Sequence, residues 1–235
     1  MKIIGMDSSG LTASVAIVED DRLVAEYSVN YQKTHSQTLV PMLDEISKMT
    51  ELDLSTVDAI AIAKGPGSFT GLRIGSATAK GLGLALDIPI VEIPTTDGLA
   101  YNFFGTDRLV CPIMDARREQ VYTGLYKFEN DELKVLLPAT AEPVEDTVAR
   151  INEMGGPVIF LGDGIAVFKE KILGLIKVPV TFAPASKCLQ SAGSIASLGM
   201  KYFKEGRFVK ASEHVPDYLR LSQAEREKQE AENGN

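Results

Sequence analysis

Hydrophobic and polar residues follow an order along the first hundred positions that predicts three strands and then alternating helices and strands. The first three apolar stretches are short and are separated by turn residues, which is typical of strands connected by hairpins. Apolar residues then recur at three- and four-residue spacing, which is typical of helices packed on a sheet. The predicted elements are strands at 2–6, 12–18, 23–31, 57–63 and 89–93, and helices at 34–49, 69–86 and 95–104.

The same order begins again after residue 108. A strand ends at Asp115, as the first strand ends at Asp7, and an acidic turn at 130–132 matches the turn at Asp20. The predicted elements here are strands at 109–114, 120–128, 133–137, 158–161 and 178–182, and helices at 145–154, 165–175 and 189–203. Hairpins followed by alternating helices and strands predict a mixed sheet with helices on its faces in each half.

Two such units in tandem resemble the duplicated actin/Hsp70-like fold (the ASKHA, ribonuclease-H-like fold of sugar kinases), an α/β fold with two lobes. We therefore expect an N-terminal lobe at 1–106 and a C-terminal lobe at 107–221. Residues 222–235 are charged and lack an apolar face, so we expect this tail to be disordered.

The composition predicts a globular protein of a reducing compartment that does not bind nucleic acid directly. Of the 235 residues, 45% are hydrophobic and 24% are charged, which is an ordinary globular mixture. The net charge of −8 opposes direct binding to phosphate backbones, so we expect contact with nucleic acid to run through a partner. No apolar stretch reaches bilayer length, and the two cysteines, Cys111 and Cys188, lie far apart, which together favour a reducing, cytoplasmic location.

Two turns are candidates for holding a phosphate. Asp7, Ser8 and Ser9 close the first strand before a glycine, a pattern that suits a phosphate or its metal but also suits an ordinary hairpin. The corresponding turn after Asp115 contains Arg117 and Arg118, has no glycine and carries long side chains. We interpret this pair as a degenerate or vacant nucleotide site, in which the arginines meet a phosphate, a partner carboxylate or only solvent.

The most unusual segment joins a strand to a glycine-rich helix. Its loop motif is Gly65, Pro66, Gly67, Ser68, Phe69, Thr70 and Arg73, and it lacks the lysine of a Walker loop. Four glycines follow at 71, 75, 81 and 83, and each costs up to about 1 kcal/mol relative to alanine inside a helix. Such a helix allows another helix to approach closely, either within the fold or from another chain.

The histidines predict no metal site. His35 has Thr38 and Leu39 at the positions where a second helical ligand would stand, and His214 has no companion in the sequence. We predict neither a bound metal nor a catalytic residue, and the pattern gives no support to a metalloprotease.

Several motifs together resemble the TsaB (YeaZ) family. They are residues 3–9, the helix start at 34–36, the glycine-rich segment 65–75, Asp115 to Arg118 with Val121 and Tyr122, and 215–220. The resemblance implies a non-catalytic subunit of the bacterial machinery that makes threonylcarbamoyladenosine at position 37 of tRNA. It also implies two partners: the catalytic paralogue TsaD, which has the metal-binding histidine pair, and the ATPase TsaE. It further implies that the chain self-associates as a homodimer and contacts tRNA only indirectly.

Residue pattern and resemblance together suggest a packing surface for self-pairing and partner pairing. Its predicted members are Leu39, Met42, Leu43, Ile46, Gly71, Leu72, Gly75, Thr78, Ala79 and Leu82, although some of them must face the chain's own sheet. We expect no cofactor in the isolated chain, with ATP or ADP held at an interface with partners. The alternatives are an ATPase or sugar-kinase-like enzyme using Asp7 and Asp115, and a nucleotide sensor using Arg117, Arg118 and Lys80.

Overall fold

The computed structural model describes residues 1–31 and 35–220. The predicted helix cap at Thr34 and the predicted tail at 222–235 lie outside these residues. No helix in the described ranges combines the length and the apolar character needed to cross a membrane.

The N-terminal lobe is built on a five-stranded mixed sheet in the order β3-β2-β1-β4-β5. Antiparallel hairpins join β1, β2 and β3, whereas β4 and β5 run parallel to β1 because helices cross over between them. The strands are β1 (Lys2–Asp7), β2 (Ala13–Glu19), β3 (Arg22–Val29), β4 (Ala59–Gly65) and β5 (Ile90–Pro94). The helices are α1 (His35–Met49), α2 (Phe69–Leu86) and α3 (Thr95–Ala100).

The C-terminal lobe repeats this topology, with sheet order β10-β9-β6-β7-β8. Its strands are β6 (Leu109–Asp115), β7 (Gln120–Glu129), β8 (Glu132–Pro143), β9 (Val158–Leu161) and β10 (Val180–Phe182). Its helices are α4 (Val144–Met154), α5 (Ile165–Leu175) and the short α6 (Ala185–Cys188). The internal duplication inferred from the order of elements is therefore present in the structure.

The last helix corrects the predicted division of the chain. Helix α7 (Ala192–Lys204) packs on the N-terminal sheet, where Ile195 and Leu198 share a buried cluster with Ile3 and Val91. Close packing is possible because Gly199 lies against Ala61, a contact that leaves no room for a side chain. Residues 192–220 thus belong to the N-terminal lobe, and the predicted C-terminal lobe at 107–221 is wrong for that stretch.

Buried polar contacts join the two lobes. The Tyr126 hydroxyl of β7 donates to Asp97 Oδ1 of α3 at 2.8 Å and lies 2.7 Å from Thr96 Oγ1. Burial raises the pKa of Asp97, and the tyrosine hydroxyl opposes that rise by hydrogen bonding to the carboxylate. This network fixes one side of the boundary between the lobes, and a cleft opens elsewhere along it.

Candidate functional site

A cleft of about 710 Å³ lies between the two lobes. Its walls come from the turn after β1, the start of α2, the turn after β6 and the end of the described chain. The two turns are the pair that the sequence predicted as phosphate-facing, so the duplication brings both of them to one place.

The first turn is held together by its own side chains. Asp7 is 1% exposed, and its Oδ1 accepts hydrogen bonds from the backbone N–H of Ser9 at 2.8 Å and from Ser9 Oγ at 2.6 Å. Burial raises the pKa of Asp7 to about 6, against the lowering effect of those two bonds. Ser8 Oγ donates to the carbonyl of Gly71 at 2.9 Å.

Only some of the residues predicted to face a phosphate line the cleft. Ser9, Arg117 and Arg118 line the cleft. Asp7 and Ser8 do not line it, and the side chains of Asp7, Ser8 and Ser9 are all buried and hydrogen-bonded inside the N-terminal lobe. The prediction that Asp7 and Ser8 face a ligand is therefore corrected.

The second turn has an unusual backbone. Arg117, Arg118 and Glu119 have φ values of +63°, +53° and +58°, a left-handed region that side chains normally avoid. The turn closes through the N–H of Gln120, which donates to the carbonyl of Arg117 at 3.2 Å, and Asp115 Oδ1 accepts from the N–H of Arg117 at 2.8 Å. From this turn, Arg117 and Arg118 line the cleft.

The glycine-rich loop packs against the first turn. Ser68 caps α2 by accepting from the N–H of Gly71 at 3.3 Å, and its own N–H donates to the carbonyl of Ser9 at 2.7 Å. A Cβ at Gly67 would overlap the carbonyl of Ser9, and a Cβ at Gly71 would overlap that of Ser8. Most glycines of the motif are thus explained by packing within this chain.

The remaining loop residues shape the cleft wall. Arg73 stacks over the ring of Phe69 at 4.0 Å, and Phe69 in turn meets the ring of Tyr218 at 4.7 Å. Thr70 and Phe69 both line the cleft, as do Gly67 and Ser68. Gly65 has a φ of +128° and lies directly beneath the carbonyl of Asp217, while Pro66 follows through a cis peptide bond.

Most residues of the predicted partner surface are buried. Eight of its ten members are buried in the N-terminal lobe, so they cannot form a contact surface on this chain as it stands: Leu39, Met42, Leu43, Ile46, Gly71, Leu72, Gly75 and Ala79. Thr78 and Leu82 are half-buried. The exposed stripe on α2 is instead Ala77, Gly81 and Leu84.

The C-terminal segment holds contacts that reasoning from sequence did not assign. The N–H of Asp217 donates to the carbonyl of Lys64 at 2.6 Å, and Arg220 Nη1 donates to the carbonyl of Ala116 in the other lobe at 2.6 Å. The buried His214 ring contacts Glu92 Oε1 at 2.7 Å, a hydrogen bond that lowers the pKa of Glu92. Only the resemblance singled out 215–220, and no spacing rule pairs these residues with their partners.

Charged side chains of both signs line the cleft. Arg117, Arg118 and Arg220 lie there with the Asp115 and Asp163 carboxylates, and Arg117 Nη1 lies 3.2 Å from Asp115 Oδ2. His35 Nε2 lies 2.9 Å from the carbonyl of Gly10. Within residues 1–31 and 35–220, no three His, Cys, Asp or Glu side chains are grouped closely enough to hold a metal ion.

Comparison with known proteins gives consistent matches over most of the chain. The family model of TsaD, described as tRNA N6-adenosine threonylcarbamoyltransferase, matches residues 23–228. The tRNA threonylcarbamoyladenosine biosynthesis protein TsaB of Bacillus subtilis (strain 168) is 35% identical over 96% of each chain. The crystal structure of YeaZ from Pseudomonas aeruginosa has a TM-score of 0.81 at 27% identity, covering 93% of this chain and 99% of that one.

A more distant structure supports the fold class alone. The inorganic polyphosphate/ATP-glucomannokinase of Arthrobacter sp. strain KM has a TM-score of 0.50 at 13% identity, covering 85% of this chain and 99% of that one. The predicted duplicated, sugar-kinase-like fold is confirmed.

Proposed function

Because this chain belongs to the TsaB family, we propose that it is a non-catalytic partner subunit in the formation of threonylcarbamoyladenosine on tRNA. In this proposal it binds and activates a TsaD-like catalytic paralogue, with a TsaE-like ATPase as the third member. In this proposal tRNA contacts this chain only indirectly, through the other subunits, because the net charge of −8 opposes binding to phosphate backbones. The proposed location is the cytoplasm.

Gly81 is the observation that supports a partner surface on α2. Gly71, Gly75 and Gly83 each face atoms that a Cβ would strike, so the packing of this chain accounts for them. A Cβ on Gly81, by contrast, would meet nothing within 4 Å. A glycine inside a helix costs about 1 kcal/mol relative to alanine, and nothing in the chain's own fold offsets that cost.

The surroundings of Gly81 suit a helix from another chain. Ala77 and Leu84 lie on the same face of α2, since they are four residues before and three residues after Gly81. Small residues at 77 and 81 let a partner backbone come close, and Leu84, which is 61% exposed, supplies apolar area for it to cover. We propose that this face of α2 serves both the homodimer and the complex with the catalytic paralogue.

A substitution that fills this space tests the surface. Gly81→Phe places a bulky ring on the exposed face without disturbing the core, so it should abolish the complex measured by sedimentation and by pull-down with the catalytic paralogue. Gly174→Phe is the matched control, because Gly174 lies in α5 and its Cβ would also meet nothing within 4 Å. An unchanged complex with Gly81→Phe, or equal loss with both variants, would exclude this surface.

The alternative enzyme function is less well supported. A sugar-kinase-like or ATPase site would need Asp7 beside its ligand, whereas the Asp7 carboxyl is buried and bonded to Ser9. We therefore assign ATP or ADP to an interface with partners and not to a site within this chain. Tight binding of MgATP to the isolated chain, measured by calorimetry, would favour the enzyme instead.

A further inference from the structure

The last ten described residues form a strap that runs along the N-terminal lobe and ends at the other lobe. Near the middle of this strap, which comprises residues 211–220, Lys80 Nζ of α2 donates to the carbonyl of His214 at 2.9 Å. Further along, the N–H of Asp217 donates to the carbonyl of Lys64 in β4 at 2.6 Å. The strap is therefore attached to the N-terminal lobe over most of its length.

The last residue of the strap contacts the C-terminal lobe. Arg220 Nη1 donates to the carbonyl of Ala116 at 2.6 Å and lies 3.5 Å from the carbonyl of Arg117. Both carbonyls belong to the turn after β6, which lines the inter-lobe cleft, as does Arg220 itself. The Arg220 guanidinium thus links two walls of the cleft that come from different lobes, through a charge-assisted hydrogen bond.

The chain itself crosses between the lobes at a different place. Its two crossings, residues 101–108 and 183–191, are joined by Asn102, whose Nδ2 donates to the carbonyls of Lys187 and Leu189 at 3.1 and 2.9 Å. The described residues that line the cleft include none from either crossing. The buried polar network of α3 directly precedes the first crossing, so it belongs to the same fixed side of the boundary. Such crossings act as a hinge when two lobes move as bodies, and a contact at the cleft then limits their separation.

The end of the strap is held less firmly than its middle. Val215 is 65% exposed, and Tyr218 and Leu219 are each 38% exposed. Tyr218 meets the ring of Phe69 at 4.7 Å, but much of its surface stays in contact with solvent. Segments with few buried apolar contacts open at a lower free-energy cost than the core. Arg220 therefore lies on the part of the strap that detaches most readily.

From these contacts we propose that the strap is a latch. Arg220 holds the two lobes at one separation, and its release lets the cleft widen about the two chain crossings without unfolding either lobe. Because Tyr218, Leu219 and Arg220 line the cleft, the same release changes the wall that a molecule in the cleft contacts. The latch is separate from the partner surface on α2, since the exposed stripe of that helix does not line the cleft.

Double electron–electron resonance on the full-length chain measures the separation of the lobes. Glu45→Cys in α1 and Glu170→Cys in α5 carry the spin labels, because both positions are exposed and lie on helices of different lobes. The background is Cys188→Ser, and Cys111 stays unlabelled because it is fully buried. Dilution of the labelled chain with unlabelled chain ensures that only distances within one chain are measured.

Removal of the latch should change two readouts. Arg220→Ala should lengthen the mean distance between the labels and widen its distribution. Hydrogen exchange in the turn at 116–120 should accelerate about tenfold or more, since a hydrogen bond from a charged group stabilises by at least about that factor. Arg22→Ala is the matched control, because it removes an exposed arginine of β3 that pairs with Glu19, and it should leave both readouts unchanged.

Two results would overturn the latch. One is an unchanged or shorter distance with Arg220→Ala, even where exchange in the turn accelerates, because exchange alone reports only the loss of one bond. The other is an equal change of distance with Arg220→Ala and Arg22→Ala. Failure of the partner surface is reported separately, by the complex measured with Gly81→Phe.

Discussion

Two alanine substitutions in the same helix should change stability in opposite directions. Gly71 and Gly81 both lie in α2, but a Cβ at Gly71 would overlap the backbone carbonyl of Ser8, whereas a Cβ at Gly81 would meet open space. Helix propensity favours alanine at both sites, so any difference in sign comes from packing alone.

The expected magnitudes follow from those contacts. At Gly81 only the propensity gain operates, and Gly81→Ala should stabilise the chain by about 0.5–1 kcal/mol. At Gly71 the methyl group must displace the buried Ser8, whose Oγ donates to the Gly71 carbonyl at 2.9 Å. Overpacking of this kind costs about 1–3 kcal/mol and a broken hydrogen bond about 1 kcal/mol more, so Gly71→Ala should be destabilising by roughly 1–3 kcal/mol after the propensity gain.

Urea unfolding followed by circular dichroism measures both values. In thermal unfolding the same changes correspond to about 2–4 °C for each kcal/mol in a chain of this size. Measurements at several protein concentrations separate monomer stability from self-association, which would make the midpoint concentration-dependent. If both variants shift in the same direction, the assignment of Gly71 to internal packing and of Gly81 to the surface is refuted.

Three further substitutions test individual contacts. Burial raises the pKa of Asp7 from 3.8 to about 6, so its protonated carboxyl stabilises the folded chain fully below about pH 4, and this contribution is lost as pH rises through about 6. Asp7→Asn should therefore remove about 3 kcal/mol of the pH dependence of the unfolding free energy between these limits, as measured by urea titrations. Identical pH profiles of wild type and variant would contradict this. Tyr126→Phe removes the nearer of the two tyrosine hydroxyls that donate to the Asp97 carboxyl, so it should lower the free energy of unfolding by about 1–3 kcal/mol; no change would argue against the inter-lobe network. Glu119→Gly relieves a φ of +58° and should stabilise the chain by about 0.5–1 kcal/mol in the same assay, whereas a loss of stability would mean that the turn is not strained.

Local patterns predicted most of the strands and helices because each depends on neighbouring residues. The alternating stretch at 12–18 and the helical spacing at 34–49 indicate which faces β2 and α1 bury. The duplication was also visible, since Asp7 and Asp115 end equivalent strands. The packing of α7 on the N-terminal sheet was not visible in the sequence, because the pattern of an apolar helix face does not say which sheet it covers.

The site was harder to predict because its contacts join residues far apart in sequence. The four glycines of α2 look alike in the sequence, yet three meet Ser8 or Ala211 and only Gly81 faces open space. Similarly, the Asp7 pattern allows either a ligand contact or a closed turn, and the choice depends on the distance to Ser9. The contact of Arg220 with Ala116 spans 104 positions, and no local rule reports on it.

Reconstituted tRNA modification tests the central claim most directly. The assay combines the catalytic paralogue, the ATPase, a threonylcarbamoyl donor and tRNA, with wild-type chain, with Gly81→Phe or with no chain, and measures threonylcarbamoyladenosine formed. We predict full modification with the wild type, and equally low modification with Gly81→Phe and without the chain. Modification that proceeds equally well in all three reactions would contradict the proposed role as a partner subunit.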